Sequence, residues 1–383
     1  MQKLVLLYWG TVFLMYLSQT YYPVDTRLTG SQVGKRHFMW RKSDIFMVIV
    51  ISWMTCFSFL RTHYNDTGNY IYMYNDAKTV QEFLSDGDLL DLTGNPLSYF
   101  YQSWMHDITD NIHVYFFLPA FLSSFAAIKL FKGYSPNPAL SILIFFSIAT
   151  YAMYIAALKQ CIAVFFLLLS IPYAERKQYG RFYLLVFIAI LFHTHAFMFA
   201  ILPFLFEKPW GKVTWLLLGA TLFAMATYNT TLGAFMRYAQ SVGAFVAEDE
   251  VFDGHSINTI RVLVYWVPAV IALFFRRRLF GDSSRMENLF VNMSIVSAFI
   301  LTIGMVEGAN LYARMAGYFE IATAVVLPWM ITKLFEKRSA HIINIAASAL
   351  YFGYFYYEFT FSKGFDADYS AITLWQFIQS LFP

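Results

Sequence analysis

Residues 181–206 read RFYLLVFIAILFHTHAFMFAILPFLF, and the topology of the whole chain turns on them. The run is almost wholly apolar, yet His193 and His195 stand at its centre. Ionisable side chains inside a hydrocarbon-length segment are costly, so they raise a functional reading by default. The segment either crosses a membrane once or folds back at the histidines. The charges along the rest of the chain decide between these.

The 383 residues are 58% hydrophobic and 20% aromatic, and only 13% are charged. Soluble domains carry about 25% charged residues, so the composition is that of an integral membrane protein. Apolar runs at 45–60, 114–130, 262–275 and 321–331 carry the same message. At roughly 20 apolar residues per spanning helix, there is room for about ten to twelve spans. No small-residue cleavage site precedes Tyr21-Tyr22-Pro23, which points to a retained first helix and not a removed signal peptide. Cys56 and Cys161 lie in apolar runs and form no ligand or redox motif. The expectation is an all-α polytopic protein with residues 1–383 as one transmembrane domain.

Helices are expected at about 2–21, 44–60, 113–131, 139–156 and 160–173, then at 212–228, 258–275, 287–304, 313–332 and 341–357. The connections 23–43, 129–133, 174–181, 207–212, 276–285 and 333–338 hold 19 of the 27 Lys and Arg residues. The connections 61–112, 229–257, 305–312 and 358–383 are mostly acidic, as in Glu248-Asp249-Glu250. Cytoplasmic loops are the ones rich in Lys and Arg. A single crossing by 181–206 would put Arg276-Arg277-Arg278 outside and the acidic 229–257 connection inside. An enter-and-return path puts every basic connection on the cytoplasmic side, with both termini outside. The second path is the consistent one. Its tip at His193-Thr194-His195 then lies sunk in the membrane, where irregular backbone must line a cavity or be covered by protein. The external segment 61–112 is too long and too aromatic for a linker and is expected to hold short surface helices. The tail 366–383, with Trp375, Phe377 and Ile378 at helical spacing, reads as an interfacial amphipathic helix.

With that topology few ionisable residues remain on the outer side. Lys159, Arg261 and Arg314 sit near outer helix ends, His193 and His195 at the tip, and Asp66 just after the second helix. Cations at that level suit a phosphate or pyrophosphate whose lipid tail stays in the bilayer. Bland roles stand beside this one. Lys and Arg snorkel from helix ends, membrane histidines hydrogen-bond neighbouring helices, and an exposed aspartate ordinarily forms turns. Zinc at His193 and His195 is disfavoured, because residues i and i+2 of a helix point apart and no third ligand stands nearby. Glu320, six residues beyond Arg314, is a candidate buried partner.

Three blocks resemble the EpsG-like branch of the Wzy-type polysaccharide polymerases. They are Asp66-x-x-x-Tyr70-x-x-x-Tyr74, then Leu158-Lys159-Gln160-Cys161-Ile162-Ala163 followed by Phe192-His193-Thr194, and lastly Arg314-x-x-x-Tyr318-Phe319 with Leu327-Pro328. The similarity runs over about residues 45–335. It departs at Lys159, where the family usually has arginine; lysine keeps the charge and loses the bidentate fork. His195 lies outside the family pattern.

The resemblance implies a metal-independent glycosyltransferase that joins undecaprenyl-pyrophosphate-linked oligosaccharides on the outer face of a bacterial inner membrane. It implies His193 and Asp66 as catalytic groups, with Lys159, Arg314 and Arg261 holding the pyrophosphate. Tyr70, Gln160 and Tyr318 are implied to contact sugar, and Tyr72, Tyr74, Tyr99 and Trp104 are further stacking candidates. No cofactor and no nucleic acid is expected, and a chain-length regulator is a candidate partner. A ligase or other lipid-linked sugar transferase would use the same cationic cavity. A flippase of lipid-linked sugar is the reading from another class, and the absence of internal sequence repeats counts against it.

Overall fold

The computed structural model describes residues 1–23, 44–92, 94–235, 238, 254–362, 365 and 367–382. The acidic run 248–250 falls outside them. The main helices are α1 (Gln2–Tyr21), α2 (Ile45–Phe59), α6 (Ile112–Tyr134), α7 (Pro138–Ser147), α8 (Thr150–Ala156), α9 (Leu158–Glu175), α10 (Tyr179–Phe192), α11 (Lys212–Ala226), α12 (Thr259–Phe274), α14 (Arg285–Ile303), α15 (Ala309–Leu334) and α16 (Lys337–Thr360). Between α2 and α6 lie β1 (Arg61–His63), α3 (Thr67–Asn75), α4 (Val80–Ser85) and α5 (Pro96–Ile108). α13 (Arg276–Phe280) follows α12, and β2 (Ser370–Ala371) and α17 (Leu374–Ser380) close the chain. The protein is all-α and polytopic. Among the described residues, α6, α9, α14 and α15 are long and apolar enough to cross a membrane alone, and α7 with α8 makes a fifth crossing. The expected ten to twelve also counts shorter apolar helices such as α2, α10, α11 and α12.

Contacts between helix ends define two faces. On one, Lys132 Nζ lies 2.9 Å from both Asp44 Oδ2 and Ser18 Oγ, tying the ends of α6 and α1 to the start of α2. Lys333 and Asp282 pair at 2.8 Å on the same face, joining the end of α15 to the start of α14. On the other face the Met1 ammonium donates to Ala367 O at 2.6 Å, His113 Nδ1 sits 2.9 Å from Phe59 O, and Gln160 Nε2 donates to Arg314 O at 2.8 Å. The first is the basic face, since the basic turns at 129–133, 174–181 and 276–285 connect helix ends there. α14 begins with a full capping box, in which Ser284 and Glu287 satisfy each other's backbone N–H groups.

Two breaks lie inside the apolar layer. The first bends α7 against α8 by 61°. Ala149 there adopts φ +59°, a left-handed conformation costing about 1–2 kcal/mol for an L-residue. The carbonyl of Ile148, freed by the bend, accepts from Tyr265 Oη at 2.9 Å. The sequence reading had 139–156 as one helix. No glycine or proline marks the bend, and the hydroxyl that supports it arrives from α12.

The second break is the histidine tip. α10 ends at Phe192, His193 is extended (φ −152°, ψ 111°), and the chain continues as a 13-residue 3₁₀ helix, Thr194–Phe206. The two arms pack on one another, so the segment enters and returns as expected. Its start adjoins the basic end of α9, where Arg181 faces the Tyr173 ring. Its end adjoins the basic end of α14, where Arg285 covers the Phe206 ring at 4.7 Å. At about 1.5 Å per residue α10 extends about 21 Å. At about 2.0 Å per residue the 3₁₀ arm extends about 26 Å, and neither arm spans a core about 30 Å thick. A 3₁₀ run of this length is uncommon. Asn292 of α14 holds its end, donating from Nδ2 to Leu205 O at 2.8 Å and Glu207 O at 2.7 Å.

The 61–112 segment does hold short helices, α3 to α5. The tail is less helical than expected: β2 pairs with β1, and α17 spans seven residues, with Phe377 packed on Phe59 at 5.0 Å.

Asn292→Leu should orphan the buried Leu205 carbonyl, at a cost of about 1–3 kcal/mol, and release the more exposed one of Glu207. A lowered Tm in detergent is the expected outcome, and an unchanged Tm would refute this role.

Candidate functional site

The tip depends on the external segment for its hydrogen bonds. Ser98 Oγ donates to Phe192 O at 2.6 Å, the carbonyl where α10 stops. Asn95 Oδ1 accepts from both Thr194 N at 2.7 Å and Thr194 Oγ1 at 3.0 Å. Asn95 is left-handed (φ +59°) and precedes Pro96, so it ends a turn and starts α5 while aiming its amide at the tip. Neither residue was singled out from the sequence. Their only local signal was the Asn-Pro step, which marks a helix start and says nothing about a partner almost a hundred residues away.

His193, half-buried, faces α15. Its Nδ1 lies 2.5 Å from Tyr318 Oη, and its ring lies 5.1 Å from that of His195. Arg314 is one helical turn from Tyr318, and the charges of Arg314 and Lys159 both act on His193. Lys159 Nζ lies 3.7 Å from the centre of the Tyr99 ring, and no carboxylate pairs with it among the described residues. Thus His193, Tyr318, Lys159 and Arg314 form one group, close to the face opposite the basic one.

The remaining sequence candidates divide. Tyr70 Oη accepts from Leu158 N at 3.1 Å, satisfying a backbone donor at the start of α9 beside Lys159. Gln160 is buried and its amide is committed to the Arg314 carbonyl. Asp66 is exposed at the start of α3, and its charge acts on Tyr70. Arg261 is engaged elsewhere: its guanidinium lies 3.9 Å from Glu320 and 3.9 Å from Glu358, both fully buried. Two buried carboxylates thus flank it. Tyr74 is buried, stacked 4.9 Å from Tyr115 and donating to Thr109 O, so it is core. Trp104 is exposed.

A residue unremarked in the sequence governs the closest approach. A Cβ on Gly317 would stand 2.6 Å from Met153 Sδ and 2.7 Å from Gln160 Nε2. A side chain there would push aside the ends of Met153 and Gln160, and with Gln160 the hydrogen bond that holds the Arg314 backbone. No three of the described His, Cys, Asp and Glu side chains are grouped to hold a metal ion.

These features define a class: a polytopic membrane protein with a re-entrant hairpin whose tip presents an imidazole among cations. Residues 44–374 match the EpsG family. The chain belongs to that family, whose EpsG-like members are Wzy-type polysaccharide polymerases, and it is a membrane protein of polysaccharide polymerisation. No curated protein and no solved structure matches it.

Gly317→Ala should displace Gln160 and so shift Arg314 against His193. A misplacement of about 1 Å can cost on the order of 10²-fold in rate. The expected result is a folded, membrane-inserted protein with shortened polysaccharide on gels, and wild-type chain lengths would refute the packing argument.

Proposed function

We propose that the protein transfers an oligosaccharide from one lipid pyrophosphate carrier to a sugar hydroxyl on a second lipid-linked unit, extending a polysaccharide. The observation that carries this reading is the meeting of His193 with Lys159 and Arg314 at a sunken tip. The carrier matches an undecaprenyl-type chain, because a long polyprenyl tail stays in the bilayer while its pyrophosphate meets the cations. The face opposite the basic one is taken as the exterior of a bacterial inner membrane, on the rule that Lys and Arg concentrate in cytoplasmic loops.

In this mechanism the acceptor hydroxyl attacks the anomeric carbon, the bond from that carbon to the pyrophosphate oxygen breaks, and the hydroxyl proton passes to His193. The mechanism uses the tautomer in which Nδ1–H is donated to Tyr318 Oη, one that a hydroxyl partner permits, so that the Nε2 lone pair is left for the acceptor hydroxyl. Lys159 and Arg314 hold the developing charge on the leaving pyrophosphate. Tyr70 and Gln160 act through these cations as positioning residues and not as sugar ligands. Arg261, neutralised by Glu320 and Glu358, takes no part in anion binding. Asp66 is the alternative base. The reaction needs no metal, since cationic side chains carry the leaving-group charge. A chain-length regulator remains the candidate partner protein.

Four measurements test this reading. In cells lacking the native copy, His193→Ala should abolish long chains while single repeat units persist, since a general base contributes about 10²–10⁴-fold in rate. Asp66→Asn should leave chain length nearly unchanged; the reverse pattern would transfer the role of base to Asp66. Lys159→Ala should slow turnover on the order of 10²–10³-fold, the cost of removing one preorganised charge stabiliser. Turnover by the reconstituted protein should survive a chelator, and its loss would refute the metal-independent mechanism.

A further inference from the structure

The external segment encloses a cavity of about 520 Å³ between the end of α3 and the start of α5. That lies within the ~300–1,000 Å³ of small-molecule sites. Tyr72 and Tyr99 line it together with Asp76, Asp88 and Asp91, and Lys78 is the single basic residue on its wall. Two of its lining residues also belong to the tip. Tyr99 carries Lys159 on its ring, and Asn95 holds Thr194. The cavity therefore opens directly beside the cation group.

We propose that this cavity is a saccharide subsite that receives the sugars attached to the pyrophosphate at Lys159, and that it takes neutral or amine-bearing pyranoses in preference to uronic acids. The proposal rests on the reading that lipid-linked oligosaccharide is the substrate. Its chemistry follows from the wall. Tyr72 is 71% exposed and offers a flat apolar face to a sugar ring. Asp76 is exposed, and its side chain is uncommitted among the described residues. Carboxylates accept hydrogen bonds from hydroxyl and ammonium groups and repel other carboxylates. The single lysine does not reverse this sign, because Lys78 is already paired with Asp86 at 2.8 Å and Asp88 at 2.6 Å. The three aspartates on the wall are not grouped as metal ligands. They share the wall with the rings of Tyr72, Phe83 and Tyr99, a mixture of acceptors and apolar faces suited to a polyhydroxyl chain. Tyr99 is the hinge between the subsite and the cation group, so a sugar chain leaving the pyrophosphate runs along its ring into the cavity.

The test uses the purified full-length protein in detergent. The probe is the soluble oligosaccharide released by mild acid from the host's lipid-linked repeat units. Saturation-transfer NMR and titration should show binding to the wild type. Tyr72→Ala and Asp76→Asn, both at exposed positions, should each weaken binding by about tenfold, the size of one aromatic or charge-assisted contact. Absence of binding to the wild type, or equal binding by both cavity variants, overturns the subsite. Methyl glucuronide competing better than methyl glucoside overturns the charge preference. The polymerase reading fails separately, by long chains in cells carrying His193→Ala; loss of sugar by the cavity variants would then still support the subsite.

Discussion

A peptide group that leaves its helix inside a bilayer must find a partner there, because lipid offers none. This constraint decides which parts of the protein depend on which. The tip at His193 exists because Ser98 and Asn95 supply an acceptor's donor and a donor's acceptor from outside the hairpin. The far end of the 3₁₀ arm exists because Asn292 caps two of its carbonyls. The bend at Ala149 exists because Tyr265 reaches Ile148. Each irregularity is held by a polar side chain from another element, and each loses its support if that side chain becomes apolar. The external segment is thus part of the membrane fold. It cannot leave the tip without exposing unpaired backbone at depth.

That dependence explains what the sequence made legible. The long helices follow from apolar run length, and the hairpin follows from the arithmetic of basic connections around 181–206. The bend between α7 and α8 was invisible. Ile148-Ala149 has no local breaker, and its supporting hydroxyl lies 117 residues away. At the site, Lys159, His193, Arg314 and Tyr318 are legible because charge or motif marks them and because helix ends set their depth. Asn95, Ser98 and Gly317 are not, since a loop amide, a loop hydroxyl and a helix glycine carry no sign of their distant partners. The neighbours of Arg261 were hidden for the same reason. Depth placed it beside the cations, and only the fold shows the two carboxylates that claim it.

The separation of these two ionic groups is a property of α15. Arg314 and Tyr318 are four residues apart and share a face of the helix. Glu320 is six residues from Arg314, roughly 240° around the axis, and so faces away. One helix therefore presents a cation and a phenol to the hairpin tip while presenting a carboxylate to α12 and α16. Glu320 also receives Thr150 Oγ1 at 3.4 Å, which ties the start of α8 to the same helix. The chain after the Ala149 bend thus meets α15 twice, through Glu320 and through Met153 beside Gly317.

These contacts bear on how the cation group keeps its geometry. Lys159 follows α8 by three residues, so the direction of the bend sets where its ammonium stands. Removing Arg261 alone would leave two buried carboxylates uncompensated, a change that typically costs several kcal/mol. Such a loss would loosen the hold of α12 and α16 on α15, and with it the register of Arg314 and Tyr318 against His193. Arg261 thus belongs to the support of the site through Glu320. Its depth, which first suggested anion binding, is the depth at which α15 has to be anchored if the imidazole and the two cations are to stay together.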